Sequence, residues 1–156
     1  MARNKRFKGA ADKRDGGQFL AVPMAVLNSV AYIQLSLSAK ALLWDIAAQY
    51  SGDNNGDLAI AMKILSPRGW KSQTTVRKAR DELVEAGLIA ETRRGARPNK
   101  ASLYGLTWCN LDPCGGKLDI SPVAFPRGAY KLKNPLPAIT PKNASLTPNS
   151  GVAGPA

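Results

Sequence analysis

Hydrophobic and polar positions recur with a helical period in the first half of the region between residues 19 and 108. Apolar side chains from Ala39 to Tyr50 are spaced to form one face of a helix, and Ser38 before them predicts its N-cap. Pro23 predicts the start of a shorter, earlier helix, because its fixed φ suits the first helical turn. The polar turn after Tyr50 ends the longer helix, and residues 58–60 can then form a very short strand.

Two more helices are predicted between residues 61 and 86. The first is short, from Ala61 to Ser66, and the proline and glycine that follow predict its end. Ser72 predicts the N-cap of the second and longer helix, and Gly87 predicts the residue just beyond its end. Apolar residues recur on one face of this helix, as expected of a stripe that faces a core. They are Val76, Ala79, Leu83 and Ala86.

The pattern then changes to the two-residue period of strands. Residues 88–93 and 101–108 predict two strands joined by a polar turn that contains a proline. Tyr104, Leu106 and Trp108 alternate on one face of the second strand. The predicted fold class is therefore α+β and mainly α. The element order matches a winged helix-turn-helix with a C-terminal two-stranded wing.

Composition divides the chain into three parts. Residues 1–18 carry six basic and two acidic side chains, and we interpret them as a disordered basic arm. Eight of the eleven prolines lie from Pro113 onward, in a stretch with few apolar residues. Such a stretch buries too little surface to offset the entropy of ordering, so residues 113–156 are predicted to be a disordered, basic, proline-rich tail. Residues 19–112 remain as the winged-helix domain, and a protein partner for the tail is left open.

The charge of the chain favours a polyanionic partner. Lys and Arg number 22 against 11 acidic residues, and the simplest partner for a net charge of +11 is double-stranded DNA. Between Met62 and Arg80 there are six basic residues and no acidic one. This segment spans the helix pair whose second member can enter the major groove, while the wing can reach phosphates. The candidate DNA-binding residues are Lys71, Ser72, Gln73, Thr74, Arg77, Lys78, Arg93, Arg94, Arg97 and Lys100.

The residue types give little support to catalytic or metal chemistry. The chain has no histidine, which excludes Ser-His and Cys-His pairs, and it has no Walker-type phosphate loop. Its two cysteines are too few for a disulfide framework or a four-ligand zinc site. Asp53 and Asp57 are interpreted as turn residues rather than metal ligands. We therefore expect no enzymatic activity, cofactor or metal.

No apolar stretch resembles a signal peptide or a membrane span. The expected location is accordingly the cytoplasm, at the bacterial nucleoid, without a membrane partner. The sequence contains no long coiled-coil pattern that would indicate a stable dimer, so the oligomeric state is left open.

Seven segments with a specific order and spacing carry a family resemblance. They are Pro23-Met-Ala-Val-Leu, Leu37-Ser-Ala-Lys-Ala-Leu-Leu, Asn54-Asn-Gly-Asp-Leu, Arg68-Gly-Trp-Lys-Ser, Glu82-Leu-Val-Glu-Ala-Gly-Leu-Ile, Thr92-Arg-Arg-Gly and Tyr104-Gly-Leu-Thr-Trp. Together they resemble small winged-helix proteins of proteobacterial chromosomes, plasmids, phages and integrated elements, over about residues 19–112. The resemblance implies DNA binding linked to transcription control or to replication of a mobile element. In one departure, Ala61 stands where a serine-type N-cap is expected, so the short helix is expected to fray.

Three functions remain open on the sequence. The first is a sequence-specific transcription regulator. The second is a replication-initiation or origin-binding accessory factor of a plasmid, phage or integrated element. The third is an adaptor whose winged helix and tail bind proteins, since a fold alone does not define a function.

Overall fold

The computed structural model describes residues 14–132 of the 156-residue chain. This part of the chain has an α+β fold that is mainly helical, as the sequence predicts. It contains five α-helices and a small three-stranded antiparallel sheet. In chain order the elements are α1 (Met24–Leu27), α2 (Val30–Ile33), α3 (Leu37–Ala47), β1 (Leu58–Ala59), α4 (Met62–Leu65), α5 (Gln73–Glu85), β2 (Ile89–Arg93) and β3 (Leu103–Leu106).

Short 3-10 turns complete the described chain. They lie at Ser66–Arg68, Cys114–Gly116 and Ala129–Lys131. The predictions of a basic arm over residues 1–13 and of a disordered tail over residues 133–156 lie outside the described residues. Residues 14–18, which belong to the predicted arm, are described, and the side-chain amide of Gln18 donates to the carbonyl oxygen of Tyr50 at 3.4 Å.

The longest helices, α3 and α5, pack against each other to form the centre of the core. Leu42, Leu43 and Ile46 of α3 are fully buried. The predicted stripe of α5 is confirmed, because Val76, Ala79, Leu83 and Ala86 are all buried.

The start of α3 differs from the prediction. Ser36 rather than Ser38 is the N-cap, and its hydroxyl accepts a hydrogen bond from the Ala39 amide at 3.1 Å. The choice depends on a distant residue: the carboxylate of Glu82 accepts from both the amide and the hydroxyl of Ser36, at 2.5 and 2.7 Å. The sequence alone also leaves α2 unpredicted, although Ser29 caps it in the ordinary way by accepting from the Tyr32 amide.

The sheet has the strand order β1-β3-β2, so the predicted two-stranded hairpin is extended by the short strand at residue 58. In the register of the sheet, Leu58 lies opposite Tyr104, and Ile89 lies opposite Leu106. The ladder between β2 and β3 is irregular between Glu91 and Arg93. The sheet therefore connects the segment before α4 with the two strands after α5.

All four residues of β3 are buried, whereas the alternating pattern predicts one covered face. The other face of β3 is covered by residues 111–132, here named the C-terminal strap. Phe125 of the strap is 5% exposed and packs with Ala90 and Leu111, while Tyr130 is 5% exposed and joins the main core. The prediction of disorder from Pro113 is thus wrong for residues 113–132. Their few apolar side chains lack periodicity, yet Phe125 and Tyr130 each fill a separate site on the domain.

Polar contacts fasten the start of the C-terminal strap to the turn before β1. Asn55 and Asp112 exchange two bonds: the Asn55 amide donates to the Asp112 carboxylate at 2.8 Å, and the Asp112 amide donates to the Asn55 carbonyl at 2.9 Å. Lys117 pairs with Asp57 at 2.7 Å. Near the other end, the Gly128 amide donates to the carbonyl of Thr107 at 2.8 Å. The strap is therefore bound along its length rather than at one point.

Candidate nucleic-acid interface

The turn between α4 and α5 is built around Asp45. One carboxylate oxygen accepts from the Arg68 guanidinium at 2.6 Å, and the other accepts from the Trp70 indole at 2.6 Å. Gly69 between them has a φ of +98°, a conformation that glycine adopts without steric cost. These contacts attach the turn to α3 and so set the direction in which α5 begins.

Ser72 caps α5 as predicted, and its hydroxyl accepts from the Thr75 amide at 3.2 Å. By contrast, Ala61 makes no side-chain cap at the start of α4. The missing cap agrees with the departure noted in the sequence, and α4 extends for four residues before it passes into a 3-10 turn.

The candidate residues on α5 all lie off its core-facing stripe. Because Val76, Ala79 and Leu83 face the core, a period of 3.6 residues places Thr74 almost opposite the core and turns Arg77 and Lys78 about equally far from it. Gln73 lies nearer the core-facing side. Together with Arg77, Ile60 and Met62, it lines an open groove with a volume of about 340 Å³.

Charge is separated along α5. Lys71 just before the N-cap, and Arg77 and Lys78 in the first half of the helix, are exposed and form no ion pair within residues 14–132. Its acidic residues belong to the C-terminal half, where Asp81 pairs with Arg80 at 2.6 Å and Glu82 holds Ser36. The basic half is therefore available to an anionic ligand.

Arg80 is not part of this available set. Its guanidinium binds Asp81 and faces the hydroxyl of Tyr104 on β3. Burial alone would lower the pKa of Arg80, but the hydrogen bond and charge of Asp81 and the contact with Tyr104 together outweigh it, so the pKa of Arg80 is raised. Burial also raises the pKa of Tyr104, so near neutral pH this contact joins a charged guanidinium to a neutral phenol. The contact links α5 to the sheet.

The loop between β2 and β3, residues 94–102, is held in a defined shape. Ala96 and Lys100 exchange two backbone hydrogen bonds of 2.8 Å, which leaves Arg97 exposed at the tip. Gly95 is needed here, because a Cβ at this position would lie 2.9 Å from the carbonyl oxygen of Lys100. The Gly95 amide also donates to the hydroxyl of Ser102 at 2.9 Å.

The structure divides the four predicted loop residues into two pairs. Arg94 and Arg97 are exposed, and their side chains form no ion pair within the described residues. Arg93 instead donates twice to the carbonyl oxygen of Ala101, at 3.2 and 2.9 Å. Lys100 lies 3.7 Å from the carboxylate of Asp119. Arg93 and Lys100 therefore stabilise the loop through contacts within the fold, and their basic character alone does not reveal this.

Two residues that position the candidate interface were missed from the sequence: Asp45 behind the turn and Asp119 beside the loop. Asp119 carries the one available signal, since it is the single acidic residue among residues 113–156, which hold five basic ones. No comparable signal identifies Asp45, whose partners lie 23 and 25 positions later in the chain.

The described residues contain neither a metal-binding cluster nor a membrane-spanning helix. Within residues 14–132, no three His, Cys, Asp or Glu side chains come together as a metal site would require. In the same part of the chain, each helix is too short or too polar to cross a bilayer. Comparison with protein families, with curated proteins and with solved structures finds no match to this chain.

Proposed function

We propose that this protein binds double-stranded DNA as a winged helix-turn-helix. In this proposal α4 and α5 are the two helices of the motif, and the β2–β3 hairpin is the wing. The order and pairing of the elements support the assignment, because α4, the tight turn and α5 are followed directly by an antiparallel hairpin.

One observation carries the proposal: the first half of α5 exposes basic side chains that have no acidic partner among the described residues, while the acidic ones lie in its second half. A helix that served solvation alone would more often mix its charges. Lys71, Arg77 and Lys78 are therefore proposed to face phosphates or base edges.

The dimensions of α5 suit a DNA groove. Its 13 residues extend for about 20 Å, and a helix with its side chains is about as wide as the major groove of B-DNA. If the first half enters the groove, the outward Thr74, Arg77 and Lys78 approach the base edges or the phosphates most closely. Gln73 then lies nearer the rest of the protein. The exposed Arg97 of the wing is placed to contact a phosphate or a minor groove.

We further propose that the binding is sequence-specific and serves transcription regulation. Gln73 and Arg77 support this, because an amide can pair with two atoms of adenine and a guanidinium with two atoms of guanine. Both side chains are exposed and line the same groove. Replication of a mobile element would use the same interface and differs in where the bound sites lie.

The test is selection from a random double-stranded library with the full chain, followed by footprinting of the enriched duplex. We expect one enriched motif, and a footprint within promoter regions of the source genome. Selection without enrichment would contradict sequence specificity. Absence of duplex binding at low salt would contradict DNA binding itself and favour the adaptor function.

A further inference from the structure

Asp119 of the C-terminal strap makes three contacts at the base of the β2–β3 loop. Its amide donates to the carbonyl oxygen of Thr92 at 2.8 Å. One carboxylate oxygen accepts from the Arg94 amide at 2.9 Å, and the other lies 3.7 Å from the ammonium group of Lys100. A single residue from outside the hairpin therefore contacts both the entry and the exit of the loop.

These three contacts differ in strength. A backbone amide that donates to a carboxylate makes a short, charge-assisted hydrogen bond. The Lys100 pair is longer and about half exposed on both sides, so solvent screens most of its attraction. The bond to the Arg94 amide is therefore the main constraint on the loop, and Lys100 adds a weaker one.

The carboxylate is in an unexpected place for a surface that binds DNA. Its negative charge offsets part of the positive charge of the exposed Arg94 and Arg97, and it repels phosphate at short range. Any gain in DNA affinity from Asp119 must then come from the loop shape that it fixes, because a loop fixed before binding loses less entropy when it binds its ligand.

We propose that Asp119 is a positioning residue for DNA binding, through which the C-terminal strap holds the wing in the shape that presents Arg97. This inference rests on the proposed function. It implies two opposed contributions of one side chain: the hydrogen bond to the Arg94 amide raises the affinity for DNA, and the negative charge lowers it.

Two substitutions separate these contributions. Asp119→Asn removes the charge and keeps an oxygen that can accept from the Arg94 amide, whereas Asp119→Ala removes both. Because the two variants have equal net charge, a difference between them reports the hydrogen bond. If the alanine variant does not fold, Asp119→Val gives the same comparison, since valine has a similar volume and no acceptor.

The first measurement uses the free protein and needs no DNA. Hydrogen exchange of the amides of residues 94–97, 99 and 100 should be faster in Asp119→Ala than in Asp119→Asn, by about tenfold at Arg94. Exchange in α3 should match between the variants. Equal exchange of the loop amides in both variants would overturn the proposal, whatever the chain binds.

The second measurement is titration of a labelled 30-base-pair duplex at fixed salt, with wild type and both variants. We expect Asp119→Asn to bind more tightly than wild type, and Asp119→Ala to bind about three- to tenfold more weakly than Asp119→Asn. In an Arg97→Ala background this difference between the variants should disappear.

The possible failures can be told apart. If wild type binds the duplex but the two variants bind it equally, the positioning role is wrong and the proposed function stands. If the difference persists without Arg97, Asp119 does not act through that side chain, which also overturns the proposal. If wild type does not bind any duplex at low salt, the proposed function and this inference fail together.

Discussion

The ring of Phe125 lies directly against Gly105, so closely that a Cβ built on the glycine would be 3.1 Å from two ring carbons. Gly105 belongs to β3, the central strand of the sheet, and Phe125 belongs to the C-terminal strap. The contact explains why a glycine is accommodated inside this strand: its missing side chain makes room for the ring. It also makes the strap a part of the hydrophobic core.

We predict that Phe125→Ala lowers the free energy of unfolding by about 3 kcal/mol, because it removes a buried aromatic ring and leaves a cavity over the sheet. The matched control is Val123→Ala in the same strap, where the side chain is 97% exposed. Its effect should stay within about 0.5 kcal/mol. Urea denaturation followed by tryptophan fluorescence measures both. Equal stabilities of the two variants would show that the strap does not contribute to the core.

A second prediction concerns the buried side chain of Asn55. Its amide nitrogen donates to the carbonyl oxygens of Leu106 and Asn110, at 3.0 and 2.9 Å, and its oxygen accepts from the Leu106 amide at 2.7 Å. Asn55→Ala leaves the buried amide and carbonyl of Leu106 and the partly buried carbonyl of Asn110 without this partner, and it should cost about 2–4 kcal/mol. Asn99→Ala, at the exposed tip of the loop, is the control and should leave stability unchanged. A loss below about 1 kcal/mol would contradict a central role for Asn55.

Local signals in the sequence predicted α5 well. Its cap at Ser72, its end before Gly87 and its apolar stripe are all defined by residues within a few turns of one another. The start of α3 could not be predicted in this way. Ser36 and Ser38 are equivalent as local caps, and the contact with Glu82, 46 positions away, is made by Ser36.

The same difference between local signals and distant contacts explains why the strap and part of the candidate site were predicted wrongly. Phe125 and Tyr130 belong to a short stretch interrupted by proline and glycine, so neither a helical nor a strand period marks them. Arg93 and Lys100 share the basic character of Arg97, but the Ala101 carbonyl and the Asp119 carboxylate bind them within the fold. Composition identifies basic residues, whereas tertiary contacts decide which of them are available.

The two thiols provide a prediction on pH. Burial raises the pKa of both Cys109 and Cys114, so fewer thiolates form in the folded chain than in the unfolded one. At pH 8, alkylation by iodoacetamide should be several-fold slower in buffer than in urea. Because a raised folded pKa favours the protonated state, folding stability should fall as the pH rises above about 8.5. Equal alkylation rates in buffer and in urea would contradict the burial of the thiols.

Base reading and phosphate anchoring can be separated with two arginine variants. Arg77→Ala should cost about 1–3 kcal/mol on the selected duplex and much less on a scrambled one, because a guanidinium on α5 can pair with guanine. Arg97→Ala should weaken both duplexes by similar factors, since phosphate contacts carry no sequence information. Paired titrations at one salt concentration measure this. A uniform loss with Arg77→Ala would make Arg77 an anchoring residue.

In the proposed function, the charge that attracts DNA lies at the start of α5. Arg77→Glu and Lys131→Glu change the net charge equally. Arg77 lies in the basic half of α5, whereas Lys131 ends the 3-10 turn of the strap. Ala129, which begins that turn, packs against Gly87, past the end of α5. The decisive measurement is the affinity of both variants for one 30-base-pair duplex at a single low salt concentration. We predict that Arg77→Glu weakens binding by more than about tenfold and Lys131→Glu by about twofold or less. Equal losses, or no loss with Arg77→Glu, would contradict the proposal that α5 is the DNA-binding element.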